Sequence, residues 1–227
     1  MMLEPINAEL EGLNNNIVMK EAAINEGKNG SSWLTAEMPS SLVFAGFVSH
    51  VDWDCSLYMS SIQDNQDNLR IIASVLESKY SGSSPSPHDQ QWCQGEACIA
   101  QFCLDKKWYR GEVLEVRDMG ECLVKFVDYG SEELCKAENM RKGLFLTDIP
   151  VQCFTVQMDI DSITMKWEEH VLNFIHKTVV EQVLQVTIIQ KKDVFPLVVR
   201  LVTKAGLDIG ELLVKNGYAR GRNSVAT

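Results

Sequence analysis

The sequence predicts a mainly β protein with some helix, in which a small, strongly bent β-barrel sits beside an α+β half that the chain builds in two visits. Three observations lead there. Between about 97 and 136 lie short β-rich runs, CIAQFCL, KWYRGEVLEVRD, GECLVKFVDYG and SEELCK, parted by turn residues at Asp105 with Lys106, at 118–121 and at Gly130. Short antiparallel strands at that spacing close into small barrels. Just upstream, Leu69, Ile72, Val75 and Leu76 recur at helical spacing, which predicts a helix over about 66–79. On both sides of this block the chain is again rich in β-branched and aromatic residues, so the outer pieces can form one domain into which the barrel is inserted.

Residues 1–40 are polar, with NNN at 14–16 and GKNGSS at 27–32, and read as a mobile leader. LVFAGFVSHVDWDCSLYMS, from Leu42, reads as a hairpin turning near 51–54. The run SGSSPSPHDQQ at 81–91 suits neither helix nor strand and reads as a linker. After the barrel, MRKGLF reads as irregular chain, and TDIPVQCFTVQMDID as a further strand with a bend at Pro150. WEEHVLNFIHKTVVEQ places Val171, Phe174, Ile175 and Val179 on one helical face. VLQVTIIQ and FPLVVRLVT read as strands joined around 191–194, and LDIGELLVKNGYAR as a closing helix stopped by Gly217. The division that follows is a leader at 1–40, an outer domain at 41–65 and 150–222, a linker helix and loop at 66–90, and the barrel at 91–149.

A formal net charge of -10 over 227 residues suits basic partners better than the phosphates of nucleic acid. The seven cysteines include no CxxC pair, and Cys93, Cys98 and Cys103 recur every five residues, which is not a zinc spacing. They read as reduced, buried thiols in a cytoplasmic protein. No long apolar span or secretory segment is present. His50, His88, His170 and His176 show neither metal nor triad spacing, and both GxGxxG and the P-loop are missing. The expectation is a protein without catalysis, metal, cofactor or membrane insertion.

The stretch KFVDYGSEE, 125–133, carries the site hypothesis. Strict alternation sends Phe126 and Tyr129 to opposite faces, so for both to serve one site the chain must bend, and Gly130 permits a bend. With Phe102 and Tyr109 they make four aromatics at the ends of three successive strands, next to turns. Such rings either fill the barrel core or line a cage open to solvent. A cage attracts a methylated ammonium or guanidinium, at about 0.5–2 kcal/mol per ring contact. Trp108 points away from Tyr109 in a regular strand, into the core or against a helix. Asp128 reads as a carboxylate that braces the turn by accepting backbone N–H groups.

The run GEACIAQFCLDKKWYRGEVLEVRDMGECLVKFVDYGSEEL closely resembles the core of the Tudor family, through 95–102, through 105–111 with its WYR, and through 124–132 with its DYG. The flanks are similar to the split staphylococcal-nuclease-like (SN-like) half of an extended Tudor domain, so the resemblance covers about 41–222. It implies a Tudor barrel joined by a long helix to an SN-like α+β domain of OB-fold type, as in one module of the multi-Tudor proteins of the animal germ line.

The resemblance further implies a reader of symmetrically dimethylated arginine in the Arg/Gly-rich tails of PIWI-type proteins. Such a reader works as a scaffold in cytoplasmic germ granules (nuage) of the piRNA pathway in gametogenesis, with other germ-granule proteins as partners and no direct hold on nucleic acid. Position by position, the methylarginine-binding residues would be Phe102, Tyr109, Phe126, Tyr129 and Ser131, with Trp108, Asp128 and Gly130 structural beside them. Ser131 stands where the family has an asparagine that hydrogen-bonds the guanidinium, and serine offers one donor and one acceptor on a shorter side chain. Two rivals follow. One is a scaffold with a degenerate cage that binds unmethylated partners through the groove between the halves. The other is a nuclease, for which the outer strands offer only Arg200.

Overall fold

The computed structural model describes residues 32–142, 146–164, 166–190 and 194–222. In chain order come β1 (Val43–Val51), β2 (Leu57–Ser61), α1 (Ile62–Tyr80), β3 (Ala97–Gln101), β4 (Trp108–Val116), β5 (Glu121–Phe126), β6 (Glu132–Lys136) and β7 (Met140–Arg141). Then follow β8 (Phe154–Met158), β9 (Ile160–Ser162), α2 (Glu169–Val179), β10 (Val183–Gln190), β11 (Leu197–Val202), α3 (Ile209–Lys215) and β12 (Ala219–Gly221). The fold class expected from the sequence holds: two β bodies with a long helix between them.

The first and last parts of the chain share one closed barrel, in the order β1-β10-β11-β8-β2. Its alternate positions, among them Phe44, Val48, Leu57, Met59, Val156, Leu184, Val186 and Leu201, fill a common core that α2 and α3 cap with Val171, Ile175, Val179, Ile209 and Leu213. The middle of the chain forms a five-stranded antiparallel sheet, β6-β5-β4-β3-β7. It curls around Cys98, Ala100, Val113, Cys122, Val124, Phe126, Cys135 and Met140. The opposite face of β3 and β4 presents Ala97, Ile99 and Trp108 to Ile72, Leu76 and Tyr80 of α1. Helix α1 therefore packs on the sheet it precedes. Among the described residues, no helix is long and apolar enough to cross a membrane.

Several boundaries differ from the sequence reading. Helix α1 begins before the expected start near 66, because Ser61 ends β2 and caps the helix at once, its Oγ accepting the Asp64 N–H at 3.2 Å. Met140 and Arg141, expected to be irregular, pair with β3 as an added strand. The closing helix stops at Lys215 and Gly217 turns the chain at φ +73, where the sequence reading placed the stop; beyond it Ala219–Gly221 form β12 against β9, a strand that reading did not include. Most of the expected junction at 191–194 lies outside the described residues.

The leader expected at 1–40 lies outside the described residues as far as 31, but its end belongs to the fold. Trp33 is buried, donates its indole N–H to the Gly111 carbonyl at 2.8 Å, and covers the Arg110 guanidinium with its ring centroid 5.0 Å away. The Leu34 carbonyl accepts the Val151 N–H at 2.9 Å. A large indole buries its area against the barrel at this point, and polar composition upstream concealed it.

Candidate functional site

Alternation explains why the aromatics meet. On β3 the inward positions are Cys98 and Ala100, so Phe102, just past the strand, continues that face. On β4 the first inward position is Tyr109, and on β5 the last is Phe126. Register pairs Ala100 with Tyr109 and Gly111 with Phe126, so these three rings gather at one end of the sheet. Their centroids lie 6.2 Å apart for Phe102–Tyr109, 5.5 Å for Phe102–Phe126 and 5.7 Å for Tyr109–Phe126, with interplanar angles of 89°, 86° and 71°. Three rings set near right angles make the corner of a box. Phe126, 2% exposed, is its floor.

Tyr129 adds a further wall, 5.3 Å from Tyr109 at 88°. It reaches that place because the strand ends at Phe126. The Phe126 carbonyl accepts the N–H groups of Tyr129 (3.0 Å) and Gly130 (2.7 Å), and the Ser131 carbonyl accepts the Phe126 N–H at 2.8 Å. Gly130 sits at φ +83, where a side chain is strained. The structure thus brings Phe102, Tyr109, Phe126 and Tyr129 together. Ser131 follows the turn, half-buried, and its hydroxyl makes no hydrogen bond among the described residues.

Trp108 points to the other face, where its ring lies 5.5 Å from Tyr80 of α1 and the Arg141 guanidinium covers it at 4.8 Å. Asp128 is structural, with a partner the sequence reading missed. It takes one backbone N–H, from Gln152 at 2.9 Å, but its chief partner is Arg110, whose Nε and Nη2 donate to its two oxygens at 2.8 and 2.6 Å. The remaining Arg110 donors reach the carbonyls of Leu146 (3.1 Å), Ile149 (2.7 Å) and Pro150 (2.8 Å). All five guanidinium N–H groups are occupied, and the pair is buried. Arg110 follows Tyr109 and Asp128 precedes Tyr129, so this ion pair ties two of the four gathered rings to each other. The signal was present as WYR and DYG, but nothing in a linear sequence says that the arginine of one motif meets the carboxylate of the other.

The rim is acidic. The Tyr109 hydroxyl donates to Asp105 Oδ2 at 2.7 Å, while Asp105 Oδ1 accepts the Lys107 N–H at 3.0 Å. Burial, then the Asp105 carboxylate, pushes the Tyr109 phenol well above its ordinary range. Burial pushes that of Tyr129 up to about 12. Both rings therefore stay neutral near pH 7.

A family model described as Tudor domain matches residues 38–160, more than half of the 227-residue chain. Human Tudor domain-containing protein 1 is 26% identical over 189 residues, which cover 81% of this chain and 16% of that protein. The chain therefore spans a small part of this curated relative. The human TDRD1 extended Tudor domain, solved in complex with a symmetrically dimethylated peptide, superposes with a TM-score of 0.72 at 20% identity, over 86% of this chain and 100% of that one. Domain TD3 of mouse TDRD1, solved with a MILI peptide containing dimethylarginine, superposes with a TM-score of 0.70 at 20% identity, over 84% of this chain and 99% of that one. At such identities the likeness concerns the fold, and it extends through both β bodies. The chain belongs to the Tudor domain family, in the extended form that joins a Tudor barrel through a long helix to an SN-like half.

Proposed function

We propose that this chain is a non-catalytic reader of dimethylated arginine in protein tails, preferring the symmetric isomer. The observation that carries the reading is the box of Phe102, Tyr109, Phe126 and Tyr129 at the end of the Tudor barrel. Methylation leaves a guanidinium charged but removes N–H donors, so a carboxylate fork loses its advantage and ring faces gain it, at about 0.5–2 kcal/mol per ring. The dimethylated peptides bound by the human and mouse TDRD1 domains support this assignment. The partners are the Arg/Gly-rich tails of PIWI-type proteins, to which the net charge of -10 adds attraction. The module serves as a scaffold in cytoplasmic germ granules of the piRNA pathway. Arg200 is engaged with Asp208 and Glu211, which lends the nuclease reading no support.

Ser131 favours a second reading, a scaffold that holds unmethylated partners through the groove between the halves. Calorimetric titration with Arg/Gly-rich peptides carrying unmodified, asymmetric or symmetric dimethylarginine separates the two. Tightest binding of the symmetric form, lost in Tyr129→Ala, supports the reader. Equal or undetectable binding of all three overturns it and favours the groove. Tyr129 is the better target, because Phe126 is 2% exposed and its truncation would hollow the core at a cost of about 3–5 kcal/mol.

A further inference from the structure

The fourth wall of the box rests on the other barrel. Ser49 lies in a β-bulge of β1: Val48 pairs with Met59 and His50 with Tyr58, and the register shifts between them. A bulge re-aims the extra side chain. Ser49 Oγ donates to the Tyr129 carbonyl at 2.6 Å. The Tyr58 carbonyl at 3.2 Å is the longer alternative for the one proton a hydroxyl can give, and Cys153 Sγ lies 3.8 Å away, where either group can donate. Next in the chain, Gly130 lies directly under the Tyr58 ring, so close that a Cβ on it would come within 2.2 Å of that ring. The Tyr58 hydroxyl in turn accepts from Lys125 Nζ at 2.9 Å and reaches Asp52 Oδ2 at 3.5 Å.

We infer that Ser49 and Tyr58, both from the SN-like half, are positioning residues for the methylarginine site. They hold the 127–130 turn, and with it Tyr129, where its ring stands across from Tyr109. The inference rests on the reader function proposed above. Phe102, Tyr109 and Phe126 are set by the ladder of the Tudor sheet, whereas Tyr129 hangs on a turn clamped from the neighbouring barrel. The Phe126 carbonyl and the Arg110–Asp128 pair hold that turn from its own sheet, and docking of the two β bodies adds the clamp through which the second half acts on the site.

The test uses the full chain labelled with 3-fluorotyrosine, with the Tyr129 fluorine resonance identified by its loss in Tyr129→Phe. Ser49→Ala should weaken binding of a symmetric dimethylarginine peptide by about fivefold, the size of one net hydrogen bond. It should also shift or broaden the Tyr129 resonance with little change in the urea midpoint, and Ser49→Thr should restore both. Tyr58→Phe should leave the Tyr129 resonance in place, since the ring and not the hydroxyl covers Gly130, and Tyr58→Ala should move it. Unchanged affinity and resonance in Ser49→Ala would overturn the inference. If the unaltered chain binds no methylated peptide, the reader function falls, and the resonance alone decides: a shift in Ser49→Ala upholds the brace and an unmoved one removes it.

Discussion

Removing the Asp128 carboxylate should destabilise the protein by about 3–5 kcal/mol, because the Arg110 guanidinium would stay buried, at 0% exposure, without its countercharge. Urea unfolding of Asp128→Asn checks this, and methylarginine binding should fall with it, since Tyr109 and Tyr129 adjoin the pair. The rings that gather were legible from spacing and turn chemistry: each of Phe102, Tyr109 and Phe126 sits where a strand meets a turn. The ion pair was not. Arg110 and Asp128 are 18 residues apart on different elements, and sequence placed Asp128 only as a turn brace.

At the scale of elements, the DYG turn and the β1 bulge act together. Gly130→Ala should cost about 1–2 kcal/mol for a left-handed φ alone, and more in this protein because the new Cβ meets the Tyr58 ring. A Tyr58→Ala background should remove the ring clash and leave the backbone term together with a 2.7 Å approach to the Cβ at position 58. A double-mutant cycle read by urea unfolding should therefore show coupling between the two positions; simple additivity would mean that the ring shifts aside without cost. Long strands and helices were legible because period and length agree, as in the Val171, Ile175 and Val179 face of α2. Strands β7, β9 and β12 span two or three residues each, too few to carry any period.

At the scale of the whole molecule, pH should act through the seam between the halves. Half-buried His50 lies near Tyr58, with ring centroids 5.7 Å apart, and is faced by Asp52, His176, Glu132 and Lys125. Burial holds its pKa below the ordinary 6.5, against the opposing pull of Asp52. A depressed histidine pKa means that the unfolded chain binds the proton more readily. The stability it contributes is present above the unfolded value and is lost as pH falls through the folded one. Urea midpoints should thus decline as pH falls below the ordinary 6.5, and the decline should flatten in His50→Gln. Lys125 behaves oppositely: burial alone would lower its pKa, but the Tyr58 hydroxyl, Glu132 and Asp52 raise it, so the ammonium keeps its charge through that decline.

Sequence alone determined the fold class, the order of the main elements and the aromatic set, because alternation and turn residues act over a few positions and leave a local trace. Tertiary structure decided what depends on residues distant in the chain. It made Trp33 part of the fold rather than of a leader, joined Arg110 to Asp128, and set Ser49 and Tyr58 against the turn that carries Tyr129. Trp33 and the Arg110–Asp128 pair depend on packing around the Tudor sheet, and Ser49 and Tyr58 on docking of the two β bodies; no local period encodes either.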